Sequence, residues 1–212
     1  MKKVVVILFF SSLVYADINS FLLKELYDTR TNWELYNLEE DGTTIFEGQG
    51  LNNGLLFIKV EKKIDYDKEK IFETLKDIEN YNKIISNHNV FSDLVQTKSD
   101  TIFGHQLITN VVPFIRNRQY IFKMYMFDDS RLDWILIDSK NPLMDYYKGK
   151  NVHNLYYGAG SWTLSDDDIL SYRMYIDDEV NLPGSFIKKA KINSTVNIFN
   201  DVLNHVEKNK GK

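Results

Sequence analysis

The sequence contains no cysteine. Disulfides, thiolate metal sites, cysteine nucleophiles and a lipid-modified cysteine are therefore all excluded. Prolines number only three (Pro113, Pro142 and Pro183), and no repeat or low-complexity linker accompanies them. Nothing marks a domain boundary, so residues 17–212 read as one domain. Histidines are as scarce: none of the four, His88, His105, His153 and His205, has a His or carboxylate partner at metal-ligand spacing. The Asp65-Tyr66-Asp67 stretch fails as a calcium loop, because Lys70 and Lys76 stand where Gly and Glu are required. No metal and no cofactor is expected. The fingerprints of phosphate loops and dinucleotide sites are missing. Gly158-Ala159-Gly160-Ser161 has the wrong order for a nucleophile elbow, so no catalytic residue is assigned. Positive charge is not in excess: 26 Lys and Arg face 30 Asp and Glu, for a net charge of −4. That balance argues against a nucleic-acid partner.

Long apolar runs are scarce too. Lys2 and Lys3 precede an apolar run over 4–10, Val14 and Ala16 occupy the small-residue positions of a cleavage site, and Asp17 follows. The apolar part is about a dozen residues, against roughly 20 for a membrane span. Residues 1–16 are expected to be a signal peptide, which places the product in the periplasm or outside the cell. Removing Lys2 and Lys3 takes the charge from −4 to −6.

What the chain has in quantity is aromatic side chains, 14% of the whole, with 13 Tyr and 13 Phe. They favour strands and a roomy apolar interior. Ile18, Phe21, Leu22 and Leu26 predict an amphipathic helix over 18–30. Strands are predicted over 33–39, 43–48 and 55–63, with Asp41-Gly42 as the first turn. Asp65 or Asp67 caps a helix whose apolar positions are Ile71, Phe72, Leu75 and Ile78 and which runs to about Tyr81. Strand-type runs follow at 89–98, 101–111, 118–127, 132–139, 155–164 and 169–177. Their short connections imply antiparallel neighbours; a longer loop occupies 140–154. Pro183 suits the start of a last helix of about 24 residues. Its apolar face is wide: Ile187, Ala190, Ser194, Ile198 and Val202, with Ile192, Val196, Phe199, Leu203 and Val206. The expected class is α+β, a curved antiparallel sheet wrapped around a long C-terminal helix. A bent sheet and a straight helix do not mesh everywhere, so a void between them is natural.

Four stretches carry a family likeness. Ile64-Asp65-Tyr66-Asp67 leads into Ile71-Phe72-Glu73-Thr74-Leu75-Lys76-Asp77. Pro113-Phe114-Ile115-Arg116-Asn117-Arg118-Gln119-Tyr120-Ile121 opens a strand. Gly160-Ser161-Trp162-Thr163-Leu164 forms another, and Asn181-Leu182-Pro183-Gly184 precedes the last helix. Their order and spacing resemble the START lipid-transfer domains of the Bet v 1-like, helix-grip superfamily, over about 33–206. Two departures stand out. Gln119 replaces the aspartate that usually follows the arginine, and no Trp lies near Tyr81. The resemblance implies an apolar tunnel without catalysis, and a lipid or other hydrophobic small molecule as partner. Transient membrane contact and a monomeric state go with that reading.

Alternation over 118–126 puts Arg118, Tyr120, Phe122, Met124 and Met126 on one face, the more apolar one, which is expected to line the cavity. Trp134 and Leu136, Trp162 and Leu164, and Tyr172, Met174 and Ile176 are further wall candidates, with Ile187 and Ala190 from the helix. The same side chains would also serve an ordinary packed core. Arg118 or Arg116 reads either as a contact for a lipid headgroup or as a structural ion pair. A cyclase- or dehydratase-type enzyme remains open as an alternative if His105 or Asp138 points inward, as does a structural or interaction protein whose cavity is filled.

Overall fold

The computed structural model describes residues 18–28, 31–50, 55–109, 116–147, 152–177, 179 and 183–209. The expected signal peptide, Pro113-Phe114-Ile115, Asn181-Leu182 and the middle of the 140–154 loop lie outside the described residues. The chain runs α1 (Ile18–Glu25), β1 (Asn32–Leu38), β2 (Thr44–Gln49), β3 (Leu56–Lys63), α2 (Lys68–Lys76), α3 (Tyr81–Ile84), β4 (Val90–Lys98), β5 (Thr101–Ile108), β6 (Asn117–Asp128), β7 (Arg131–Leu136), β8 (Val152–Asn154), β9 (Gly158–Leu164), β10 (Ile169–Ile176) and α4 (Gly184–Lys208). The strands form one sheet in the order β1-β2-β3-β10-β9-β7-β6-β5-β4. Register shifts at Leu35/Asn37, Leu94/Gln96 and Met126/Asp128 mark bulges, which bend strands and increase twist.

The strand reading departs from the sequence at β8. Residues 152–154, expected as loop, pair with Asn117, Arg118 and Gln119 of β6, and they do so in parallel. The cause is a length mismatch. β6 has twelve residues but β7 only six, so β7 pairs no further along β6 than Phe122. The leftover N–H and C=O groups at the start of β6 need partners, and β8 supplies them.

The helices depart in two places. Asp67 caps α2 as expected, its Oδ1 accepting the Glu69 N–H at 2.8 Å. The expected four-turn helix, however, stops at Asp77. There the Asn80 side-chain amide donates to both Asp77 carboxylate oxygens, at 3.1 and 2.8 Å. Such local bonds compete with the helical ladder, and the chain continues as a 3-10 turn, Ile78–Asn80, and the single turn α3. In α1 the buried residues are Asn19, Leu22, Leu23 and Glu25, with Leu26 just after it, whereas Ile18 and Phe21 are exposed.

Both faces of the sheet are therefore covered. On the inner face, α2, α3 and α4 bury Ile71, Phe72, Leu75, Phe199, Val202 and Leu203 against Ile58, Val60, Leu132 and Leu170. On the outer face, α1 packs on Phe57, Ile135, Ala159 and Tyr175. Asn19 pins it there: its amide donates to the Leu136 and Tyr156 carbonyls at 2.8 and 2.7 Å and accepts the Gly158 N–H at 2.9 Å. A third cluster, Ile121, Ile137 and Met144, lies outside under the 3-10 segment Pro142–Tyr147.

Candidate functional site

Between α4 and the inner face lies a cavity of roughly 460 Å³, within the range of small-molecule sites. Its wall is built from alternation. On β6, Arg118, Tyr120, Phe122 and Met124 face inward, while Ile121 faces the outer cluster. β7 contributes Trp134, β9 Trp162, and β10 Tyr172, Met174 and Ile176; Ile187 and Ala190 form part of the roof from α4. Two glycines make room for the rings. A Cβ on Gly160 would lie 2.5 Å from the Trp134 indole, and one on Gly104 would collide with Phe122. The missing side chains let both rings lie flat on the neighbouring strand and leave the space above them open.

Three predicted wall residues, Leu136, Met126 and Leu164, stand outside the lining. Leu136 is fully buried but sealed into the core beside Gly158. Met126 lies one pleat beyond Met124, opposite Leu132 and outside the lining. Phe199 covers Trp162, the cross-strand partner of Leu132 on the other side. Its ring stacks on Trp162 at 5.7 Å, and Trp162 stacks on Tyr172 at 4.1 Å, so three parallel rings close that end. The two candidates for an enzymatic role also lie away from the cavity. His105 is on the outer side of β5, its ring 4.0 Å from that of Tyr147 and its Nε2 3.3 Å from Gln119 Oε1. Asp138 is exposed and accepts the Lys140 N–H at 2.7 Å.

Sequence reasoning missed the contributions of Leu75, Tyr81 and Ile85 from α2, α3 and the residue after it, and of Gln106 and Ile108 from β5. It also missed the rim, where Asn193, Asn197 and Asp201 on α4 oppose Asn87 and Asn89. A signal for the rim existed: these three residues recur every fourth position and cut a polar stripe into the helix. At one end of the opening Asp201 Oδ2 accepts both the Ser86 N–H at 2.8 Å and the Ser86 hydroxyl at 3.0 Å, which fastens α4 to the segment after α3.

No protein-family model and no curated protein matches the sequence. Solved structures do match the fold. The STAR-related lipid transfer protein from Xanthomonas axonopodis superposes with a TM-score of 0.68 at 14% identity, over 82% of this chain and 98% of that one. Human StAR-related lipid transfer protein 5 also reaches 0.68, at 12% identity, over 89% of this chain and 92% of that one. This chain has the START fold. The α+β, helix-grip architecture expected from the sequence is thereby shown, with α4 as the gripped helix.

Several of the cavity's polar groups are engaged by the protein itself. Tyr120 donates its hydroxyl hydrogen to Gln106 Oε1, its direct cross-strand neighbour, and the Gln106 amide donates on to Ser92 Oγ at 3.0 Å. Tyr81 donates to the Leu75 carbonyl. Arg118 is buried, and its guanidinium donates to the Arg116 carbonyl at 3.1 Å. Lys191 Nζ donates to the Ile176 carbonyl at 2.5 Å, tying the first turns of α4 to the end of β10. Burial pushes the Tyr81 and Tyr172 hydroxyls well above the usual phenol range; the Asp77 carboxylate and then Tyr120 add to the shift at Tyr81, and Tyr120 and Tyr81 add to it at Tyr172. Both are neutral donors at any physiological pH. Among the described residues no group of three or more His, Asp or Glu side chains gathers as a metal site.

Proposed function

We propose that this chain is an exported lipid-binding protein that holds a lipid or other hydrophobic ligand in the cavity and carries it between membranes. The observation behind this reading is the cavity wall. Phe122, Met124, Trp134, Trp162, Met174 and Ile187 enclose space that the protein's own side chains leave open. Water is a poor occupant of such a space, whereas an acyl chain gains about 0.8 kcal/mol for each CH₂ it buries. The lipid-transfer names of the superposed structures agree with a hydrophobic ligand. Residues 1–16 serve as the signal peptide, 17–212 as the mature domain, and the destination is the periplasm or the extracellular space. No described helix is long and apolar enough to cross a membrane; in this reading the contact with membranes is transient. Phe186, in the first turn of α4, is 53% exposed and also lines the cavity, and it is suited to touch a bilayer at the mouth. The protein acts as a monomer and without a catalytic step.

The test is mass spectrometry of organic extracts from protein purified out of its native envelope. A stoichiometric co-purified lipid is expected. Solvent alone, from the native source and from several expression hosts, would refute the carrier reading.

A further inference from the structure

The cavity's hydrogen-bonding groups are unequally served, and the difference specifies ligand chemistry. Tyr81 and Tyr120 both spend their hydroxyl hydrogens on protein acceptors. Tyr172 stands apart. It is 4% exposed and lines the cavity. Its oxygen receives the Trp134 indole N–H, and among the described residues nothing accepts its own hydrogen. A buried hydroxyl without an acceptor is costly, and an incoming acceptor removes that cost. The ring cannot swing away to find one, because it is stacked on Trp162 with the planes 10° apart.

The charge of that acceptor also follows. Among the described residues no Lys or Arg side chain is hydrogen-bonded to the Tyr172 hydroxyl, and the lining cations donate to backbone carbonyls instead. A carboxylate or phosphate placed here would lose its water and gain no cation. Two cations line the wall, Lys191, whose ammonium donates to the Ile176 carbonyl at the end of β10, and Arg118. Arg118 lies one pleat from Tyr120 towards the start of β6, and its guanidinium turns back to the Arg116 carbonyl.

We propose that the cavity takes an uncharged lipid whose ester, ketone or hydroxyl oxygen accepts the Tyr172 hydrogen at the inner wall, while its hydrocarbon lies beneath the first turns of α4. This rests on the lipid-binding reading above and narrows it to neutral lipids. Trp134 and Trp162 both line the cavity, so their fluorescence reports occupancy directly.

Methyl oleate, oleyl alcohol, octadecene and oleate are titrated against the full domain at about pH 8, where a carboxylic acid is ionised. The ester and the alcohol are expected to bind roughly tenfold more tightly than octadecene or oleate, the worth of one good buried hydrogen bond. Tyr172→Phe keeps the stacked ring. It should bring the ester and alcohol down to the octadecene level, with an unchanged circular dichroism spectrum verifying folding. Oleate binding as tightly as the ester and weakened by Arg118→Gln but not by Tyr172→Phe would overturn the proposal in favour of an anionic headgroup. Equal binding of all four ligands would overturn it while leaving the carrier reading intact. Binding of none, octadecene included, would overturn both.

Discussion

Residues 184–191 and 192–206 belong to one helix, α4, yet they meet the sheet under opposite conditions. The later stretch buries Ile192, Thr195, Phe199, Val202, Leu203 and Val206. The earlier stretch buries no residue, although Ile187 and Ala190 face inward. Beneath the first the space is open; beneath the second it stays open only along the edge of Asn193, Asn197 and Asp201, and Phe199 on Trp162 closes the rest. Propensity does not separate the two halves, since both carry apolar residues at helical spacing. What separates them is the floor. Gly160 and Gly104 lower it under Trp134 and Phe122, and Phe199 fills it elsewhere. The filled half stabilises the fold, and the overhanging half is left for a ligand to complete.

The largest test of that division is Phe199→Ala. It removes a fully buried ring from the solid half and should cost about 3–5 kcal/mol in denaturant unfolding. Ile187→Ala, over the open half, should cost well under about 1 kcal/mol without ligand, because there is little packing to lose. Equal losses at the two sites would break the comparison. Next in size is Gly160→Val, which drives the Trp134 ring off the strand and into the void. Lipid affinity should fall by tenfold or more, in keeping with an overpacking cost of about 1–3 kcal/mol. Unchanged affinity would mean the lipid lies elsewhere.

The buried tyrosines sharpen the same contrast through pH. In the unfolded chain their hydroxyls titrate near 10, while Tyr81 and Tyr172 in the fold titrate higher. Their contribution is fully present below about pH 10 and is lost as pH rises beyond it, at up to about 1.4 kcal/mol per unit for each group. Unfolding free energy measured from pH 8 to 11 should therefore be flat and then fall, and Tyr172→Phe should flatten the fall. The smallest effect concerns Asp201, whose carboxylate holds both Ser86 groups at the rim. Asp201→Asn should speed lipid release a few-fold in stopped-flow exchange with little change in stability. A change in stability without a change in release would make that contact structural.

The sequence displayed the wall better than it displayed the filling. The alternation of β6 placed Tyr120, Phe122 and Met124 correctly because a strand's period is fixed by geometry. The same alternation counted Met126, and it could not do otherwise: where the lining ends is set by tertiary packing, with Phe199 arriving from seventy-odd positions away to cover Trp162. Leu136 is outside the lining because its side chain packs against Gly158. The α1 face was misread because Asn19, a polar residue, is buried by three hydrogen bonds, while Ile18 and Phe21 point outward. The break at Asp77 hinges on a side-chain bond from Asn80, which apolar spacing does not register. Pro183 marked the start of α4 correctly, sitting just before Gly184 as its N-cap residue.

The most direct measurement of an open, lipid-accepting space under the first half of α4 uses the methionine methyl groups. Met124 and Met174 line the cavity, whereas Met144 is buried in the outer cluster on the other side of the sheet. With ¹³C-methyl methionine and added methyl oleate, the Met124 and Met174 resonances are expected to shift in saturable proportion while Met144 stays in place. Three unmoved resonances, or three that move alike, would contradict the account.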